Sequence, residues 1–175
     1  GIATVTRFDA SNLACQFAGE VKGFKVEDYI SAKEARSMDT FIHFGLAAGL
    51  QAVKDAGLPT GDALTEAQAE RIGVIVGSGI GGLPNIEETH TELLNRGPRR
   101  VSPFFVPASI INMISGHLSI QTGFQGPNLA VVTACTTGLH SIGMAARLIQ
   151  YGEADVVVAG GAESTVSPLG IGGFA

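Results

Sequence analysis

Hydrophobic and polar positions along this chain fall into two kinds of segment. Some are short β-branched runs with no polar interruption, and others are longer stretches in which apolar residues recur every three or four positions. Residues 71–76, with Ile72, Val74, Ile75 and Val76, are the clearest of the first kind; 129–133 and 156–159 are the others. The clearest helix opens at Asp39, a suitable N-cap. Ile42, Leu46, Leu50 and Val53 share one of its faces, and Gly57 closes it as a C′ residue. Residues 85–95 read as a polar helix with Glu87, Glu88, His90 and Glu92 on a solvated face. Residues 108–122 read as one helix, apolar nearly all round through Ile110, Ile111, Met113, Ile114, Leu118 and Ile120, which predicts burial from more than one side. A further helix begins just after Cys135, with Leu139, Ile142 and 144–146 on one side and Ser141 and Arg147 on the other.

The remaining segments are less regular. Residues 1–22 look extended, with 6–8 and 15–21 as short strands, whereas 25–38 is more charged. Residues 59–70 form a polar connection with a helical turn at 65–70. Strands without polar alternation, separated by helices, predict an α/β fold with a mostly parallel sheet covered on both faces.

Composition narrows the picture. A chain of 175 residues suits one domain with a proper core. Charged residues make up only 15% and mean hydropathy is +0.30, so much of the surface is expected to be covered. The 24 glycines follow no collagen-like period and point to tight turns and close layer packing. A net charge of −5 argues against nucleic acid as a partner. No apolar run approaches the roughly 18 residues of a membrane helix. Cys15 and Cys135 lie far apart and give neither a disulfide framework nor zinc spacing, so a reducing cytoplasm fits, and no metal is expected. The chain opens on Gly1 without a signal-peptide pattern and stops within the glycine-rich 169–175; it reads as a piece of something longer.

Two stretches carry candidate chemistry. Cys135 stands where an apolar strand turns into a helix, facing backbone N–H groups that have no partner within the helix. The positive end of the helix dipole there favours a thiolate. Ala134, Thr136, Thr137 and Gly138 leave room for a substrate. Two readings stand at this point: a nucleophile, or a buried small hydrophobe as free cysteines often are. Cys15, with no basic neighbour, reads as structural. Gly77, Gly79 and Gly82 satisfy the dinucleotide-binding spacing G-x-G-x-x-G after a strand. However, Pro84 lies in the helix opening and no strand ending in an acidic residue follows about twenty positions on. The competing reading is a glycine turn that lets backbone approach a neighbouring site or layer.

Three motifs in order carry a resemblance. Val132-Thr-Ala-Cys-Thr-Thr-Gly138, Ala159-Gly-Gly-Ala-Glu163 and Gly77-Ser-Gly-Ile-Gly-Gly82 resemble the thiolase-fold condensing enzymes, most closely the elongating type II β-ketoacyl-acyl-carrier-protein synthases. Ser102-Pro-Phe-Phe-Val-Pro107, with Asn112-Met113, and Tyr151-Gly-Glu-Ala-Asp-Val are similar to that family too. The resemblance implies a thiolase-like layered α/β/α fold, with 1–175 as a partial N-terminal half whose first strand is missing. Residues 1–70 would be peripheral and 71–175 the core.

The resemblance further implies that Cys135 accepts the acyl group from acyl carrier protein. Malonyl carrier protein then binds and loses carbon dioxide, and the carbanion attacks the acyl-cysteine. A chain-length-factor subunit of this fold lacks the cysteine, so its presence favours a catalytic member. Ile80 and Phe105 match acyl-pocket positions, Phe105 reaching toward a partner subunit in a homodimer. Lys33, Arg36, Arg99 and Arg100 match basic positions that meet the acidic carrier protein, while Ser37 stands where close relatives often carry Lys. No cofactor is implied. The family's two catalytic histidines, its lysine and its gating phenylalanine belong to a later half, and His43, His90, His117 and His140 do not replace them. Two other readings remain open: a thiolase or initiating synthase acting on coenzyme A esters, with Arg99 and Arg100 binding phosphate, and an inactive dimerising module.

Overall fold

A computed structural model describes all residues from Gly1 to Ala175. Two short antiparallel strands, β1 (Ala3–Thr4) and β2 (Phe17–Ala18), open the chain. The expected strand at 6–8 is absent: the backbone N–H groups of Thr6 and Arg7 turn to the Glu20 carboxylate instead of to a strand partner. Helix α1 (Ala32–Ala35) is a single turn fixed by a capping box between Ser31 and Glu34. Helix α2 (Thr40–Asp55) starts at Asp39, whose side chain accepts the Phe41 N–H, and ends before Gly57 in left-handed conformation (φ +64°). Helix α3 (Glu66–Ala69), capped by Thr65, leads into β3 (Ile72–Gly77), every residue of which is buried. Helix α4 (Leu83–Arg96), α5 (Phe105–Ser109), α6 (Met113–Thr122), β4 (Asn128–Leu129), α7 (Thr137–Gln150), β5 (Val156–Gly161) and α8 (Pro168–Phe174) complete the order.

β3 is the centre of a three-stranded parallel sheet ordered β4-β3-β5, with Ile72 opposite Val156 through to Gly77 opposite Gly161. The period-two geometry of β3 divides its side chains between two layers. Ile72, Val74 and Val76 face Phe41, Ile42 and Leu46 of α2 and Ile114 and Leu118 of α6. Ile75 faces Ala145 and Leu148 of α7. This is the expected α/β/α layering. Helix α2 lies in the segment expected to be peripheral, yet it supplies Phe41, Ile42 and Leu46, all fully buried.

Five further expectations are corrected. The helix expected over 108–122 is two helices, because the carbonyls of Ala108 and Ser109 are taken by the N–H groups of Asp39 and Gly82, and Ile110 becomes extended. Within α6 only one side is buried, through Ile114 and Leu118, while Ile120 is exposed. The strand expected over 129–133 pairs only at Asn128–Leu129 and then leaves the sheet. β5, expected to be buried, is half-buried along nearly its whole length, since only β3 flanks it. The fifth correction is the orientation of α7. Its buried positions are Thr137, Ser141, Ala145 and Leu148, whereas Leu139 and Ile142 are 69% and 55% exposed.

Candidate active site

In a parallel sheet all strands deliver their carboxyl ends to one edge, where open α/β folds place their ligands. Here three segments meet at that edge and enclose a cavity of about 510 Å³. Ser78, Gly79 and Ile80 follow β3; Ala134, Cys135, Thr137 and Gly138 form the turn into α7; Gly161, Ala162, Glu163 and Thr165 follow β5, and Phe174 of α8 closes one side.

Glycine allows this convergence. A β-carbon on Gly77 would stand 2.0 Å from the Val131 carbonyl oxygen and 2.7 Å from Thr137 Cγ2. One on Gly161 would stand 3.0 Å from Gly138 N, and one on Gly82 would be 2.7 Å from Ser109 Cα. The G-x-G-x-x-G glycines are therefore filled by the chain's own backbone and side chains. The structure shows the close-approach turn.

Cys135 lies in a single 3-10 turn, Ala134–Thr136, directly before α7. Its thiol is exposed, which excludes the buried-hydrophobe reading; Cys15 is half-buried, with its Sγ 3.5 Å from the Phe17 carbonyl. Ala134 has φ +53°, a left-handed conformation that costs a non-glycine residue about 1–2 kcal/mol. The strain is held by the bonds around it. Thr133 donates its N–H to Thr137 Oγ1 at 3.0 Å, and Thr136 Oγ1 donates to the Thr133 carbonyl at 2.6 Å. No acceptor takes the Cys135 N–H. His140 reaches back to Thr133, with Nδ1 2.7 Å from Oγ1, and makes no bond to Cys135.

The other histidines lie away from the cavity. His43 Nε2 is 2.9 Å from the Ala35 carbonyl, and His90 is exposed on α4. Burial pulls the His117 imidazole below its usual pKa, with Glu34 partly opposing.

Ile80 stands on the cavity wall beside Cys135, whereas Phe105 does not. Phe105 lines a second groove of about 220 Å³ together with Arg36, Ser37, Arg100 and Phe104. The structure thus brings Arg36 and Arg100 together, with Lys33 and Arg99 exposed on the neighbouring turns and none of the four ion-paired. Asp39 supports the groove from below: its carboxylate accepts the Phe41 N–H at 3.2 Å and the Asn85 N–H at 3.0 Å. Asn85 in turn donates to Ser109 Oγ at 2.7 Å. Burial pushes the Asp39 carboxyl above its usual pKa, and these hydrogen bonds oppose the shift.

Sequence reasoning did not single out Ser78, Glu163, Thr165 and Phe174 as lining residues. A signal existed for two of them. Ser78 comes directly after β3 and Glu163 two residues after the Gly160–Gly161 pair that ends β5, the region a parallel sheet aims at its site.

Comparison with known proteins agrees with this architecture. The chain is 58% identical over 174 residues to a 3-oxoacyl-[acyl-carrier-protein] synthase 2 of Vibrio cholerae, covering 99% of the chain and 41% of that protein. It is 49% identical over 175 residues to the protein of the same name in Coxiella burnetii, again 41% of its length. The chain therefore spans about two fifths of the curated relatives it matches. Among solved structures, the ishigamide ketosynthase/chain length factor superposes with a TM-score of 0.81 at 28% identity, covering 99% of this chain and 42% of that one. A type II PKS acyl-carrier protein in complex with its ketosynthase bound to the hexaketide gives 0.77 at 28% identity, covering 88% and 43%. Residues 1–175 match the family model for the N-terminal domain of β-ketoacyl synthases, and it is to this family that the chain belongs.

Proposed function

We propose that this chain carries the acyl-accepting site of a fatty-acid elongating synthase, with Cys135 as nucleophile. The observation that supports it most is the exposed Cys135 thiol sharing one cavity with Ile80 at the carboxyl ends of the sheet. In the loading step the Cys135 sulfur attacks the carbonyl carbon of an acyl thioester. The bond from that carbon to the carrier's sulfur breaks, and the carrier thiol leaves with the proton. The free Cys135 N–H is a donor for the oxyanion that forms on the way. Ile80 offers apolar wall to the acyl chain, as such a pocket requires.

In the condensation step malonyl carrier protein loses carbon dioxide and its carbanion attacks the acyl-cysteine. The histidines and lysine that assist this step in the family have no counterpart at the Cys135 cavity, so the step needs residues beyond these 175. The acyl carrier protein is the expected partner. Arg36 and Arg100 line a mixed groove with Phe104 and Phe105, where Glu88 and Glu92 also stand; with Lys33 and Arg99 beside them, these four basic groups are the ones that suit an acidic protein. We place the working protein in the cytoplasm as a homodimer, with Phe105 near the subunit contact.

The test is condensation by the full protein carrying this sequence. Acyl and malonyl carrier proteins together are expected to give carbon dioxide and a 3-oxoacyl product extended by the malonyl-derived unit, and Cys135→Ala to give no condensation product. Equal turnover by Cys135→Ala would refute the assignment.

A further inference from the structure

Glu163 leaves β5 and reaches across the cavity mouth to the turn that follows β3. Its carboxylate uses both oxygens there. Oε1 accepts the Ser78 hydroxyl at 2.9 Å, and Oε2 accepts the Ile80 N–H at 2.9 Å. Ser78, itself buried, accepts the Gly81 N–H on the same hydroxyl at 3.1 Å, and Gly81 takes φ +77° to allow it. The turn is packed on the carboxylate so closely that a β-carbon on Gly79 would lie 2.7 Å from Oε2. Glu163 is exposed and forms no ion pair, so the N–H and O–H groups of this turn answer its charge together with water.

Ile80 is the residue this clamp fixes. Its side chain is 41% exposed on the cavity wall, so where it stands depends on where the clamp holds its backbone. We infer that Glu163 is a positioning residue for acyl selection: by clamping the Ser78–Gly81 turn it sets where Ile80 stands, and so which acyl chains reach Cys135. This rests on the acyl-accepting reading given above. Glu163 acts through Ile80 and takes no part in the bond changes at sulfur.

The experiment is initial loading of Cys135 in the full protein, followed by intact-protein mass, with octanoyl and palmitoyl carrier protein as donors. Removing the clamp with Glu163→Ala is expected to change the palmitoyl-to-octanoyl rate ratio by about fivefold or more, on the scale at which a pocket discriminates chain atoms. Glu163→Gln keeps an acceptor for the Ile80 N–H and can donate to Ser78, so its ratio should stay within about twofold of the parent's, since both hydrogen bonds can re-form. In an Ile80→Ala background Glu163→Ala should change the ratio by less than about twofold, because residues acting through one another are not additive. An unchanged ratio in Glu163→Ala, or an undiminished change without Ile80, overturns the proposal. Should Glu163→Ala not fold, Ser78→Ala removes one arm of the clamp and carries the same expectation, with an unchanged ratio overturning it. A parent protein that loads neither donor refutes the acyl-accepting reading itself, and this proposal with it. That failure is read from the parent alone and is distinct from failure in the variants.

Discussion

The Ser115 hydroxyl takes the place that a neighbouring strand would occupy beside Val76, accepting the Val76 N–H at 2.8 Å. The same oxygen donates to the Leu129 carbonyl at 2.8 Å, the group a continued ladder would have offered to Val76 directly. One buried side chain of α6 therefore ends the β3–β4 pairing and frees the chain after Leu129 to run to Cys135. Ser115→Ala would leave a buried N–H and a carbonyl without partners, at about 1–3 kcal/mol each. A loss of about 2 kcal/mol or more in chemical denaturation is expected; a loss under about 0.5 kcal/mol, the range of surface changes, would mean the bridge contributes little.

Gly77 offers a second test of the same convergence. A methyl group there meets the Val131 carbonyl and Thr137 at distances no packing tolerates, so backbone must move. Gly77→Ala is expected to cost about 1–3 kcal/mol and to slow alkylation of Cys135 by iodoacetamide. Gly143→Ala is the control, because nothing lies within 4 Å of the β-carbon position in that helical residue.

Helix α7 buries Ser141 fully, where it donates to the Thr137 carbonyl at 2.9 Å, and presents Leu139 and Ile142 outward. Replacing the small buried residue with Leu should therefore destabilise by about 1–3 kcal/mol through overpacking. If Ser141→Leu melts with the parent, the buried face of α7 is not the one described.

That helix also shows where the sequence misleads. Its apolar residues share one side in the sequence pattern, and an apolar stripe on a lone helix normally faces the core. In this structure the first turns of α7 approach the sheet so closely, with Gly138 against Gly161, that small residues take the inner side there, Leu148 enters only at the far end, and Leu139 and Ile142 face out. The positions of β3 and β5, by contrast, are legible: both carry apolar, mainly β-branched residues without polar alternation, which predicts a parallel, covered sheet, although the half-burial of β5 is not foreseen. The glycine turns at 77–82 and 160–161 are legible for the same reason, since each follows a strand end; Cys135 is legible from its place just before a helix, and Ile80 only through the family resemblance. The shortness of β4 and the break between α5 and α6 are not, because both are decided by tertiary hydrogen bonds from Ser115, Asp39 and Gly82 that no local pattern records.

Glu20 gives the amino-terminal hairpin a pH dependence. Thr6 Oγ1 donates to its carboxylate at 2.6 Å and the Thr6 and Arg7 N–H groups at 2.9 and 3.2 Å, and Lys22 lies 3.7 Å away. These hydrogen bonds, the Thr6 hydroxyl's first, hold the carboxyl at a pKa of about 2 against an ordinary 4.5. Because the folded value is the lower one, the stabilisation is present above 4.5 and is lost as pH falls through about 2. Amide exchange at Thr6 and Arg7 should accelerate over that window relative to a Glu20→Gln variant, which has no such titration. Parallel pH profiles in the two proteins would contradict the assignment.

The central claim is that Cys135 accepts the acyl group, and covalent loading tests it most directly. The full protein, incubated with an acyl carrier-protein thioester alone, should gain the mass of one acyl group, and peptide mapping should place it on Cys135 and not on Cys15. Cys135→Ser, incubated in the same way, should gain no acyl thioester. A parent protein that stays at its starting mass, or an acyl group mapped to Cys15, would contradict the account.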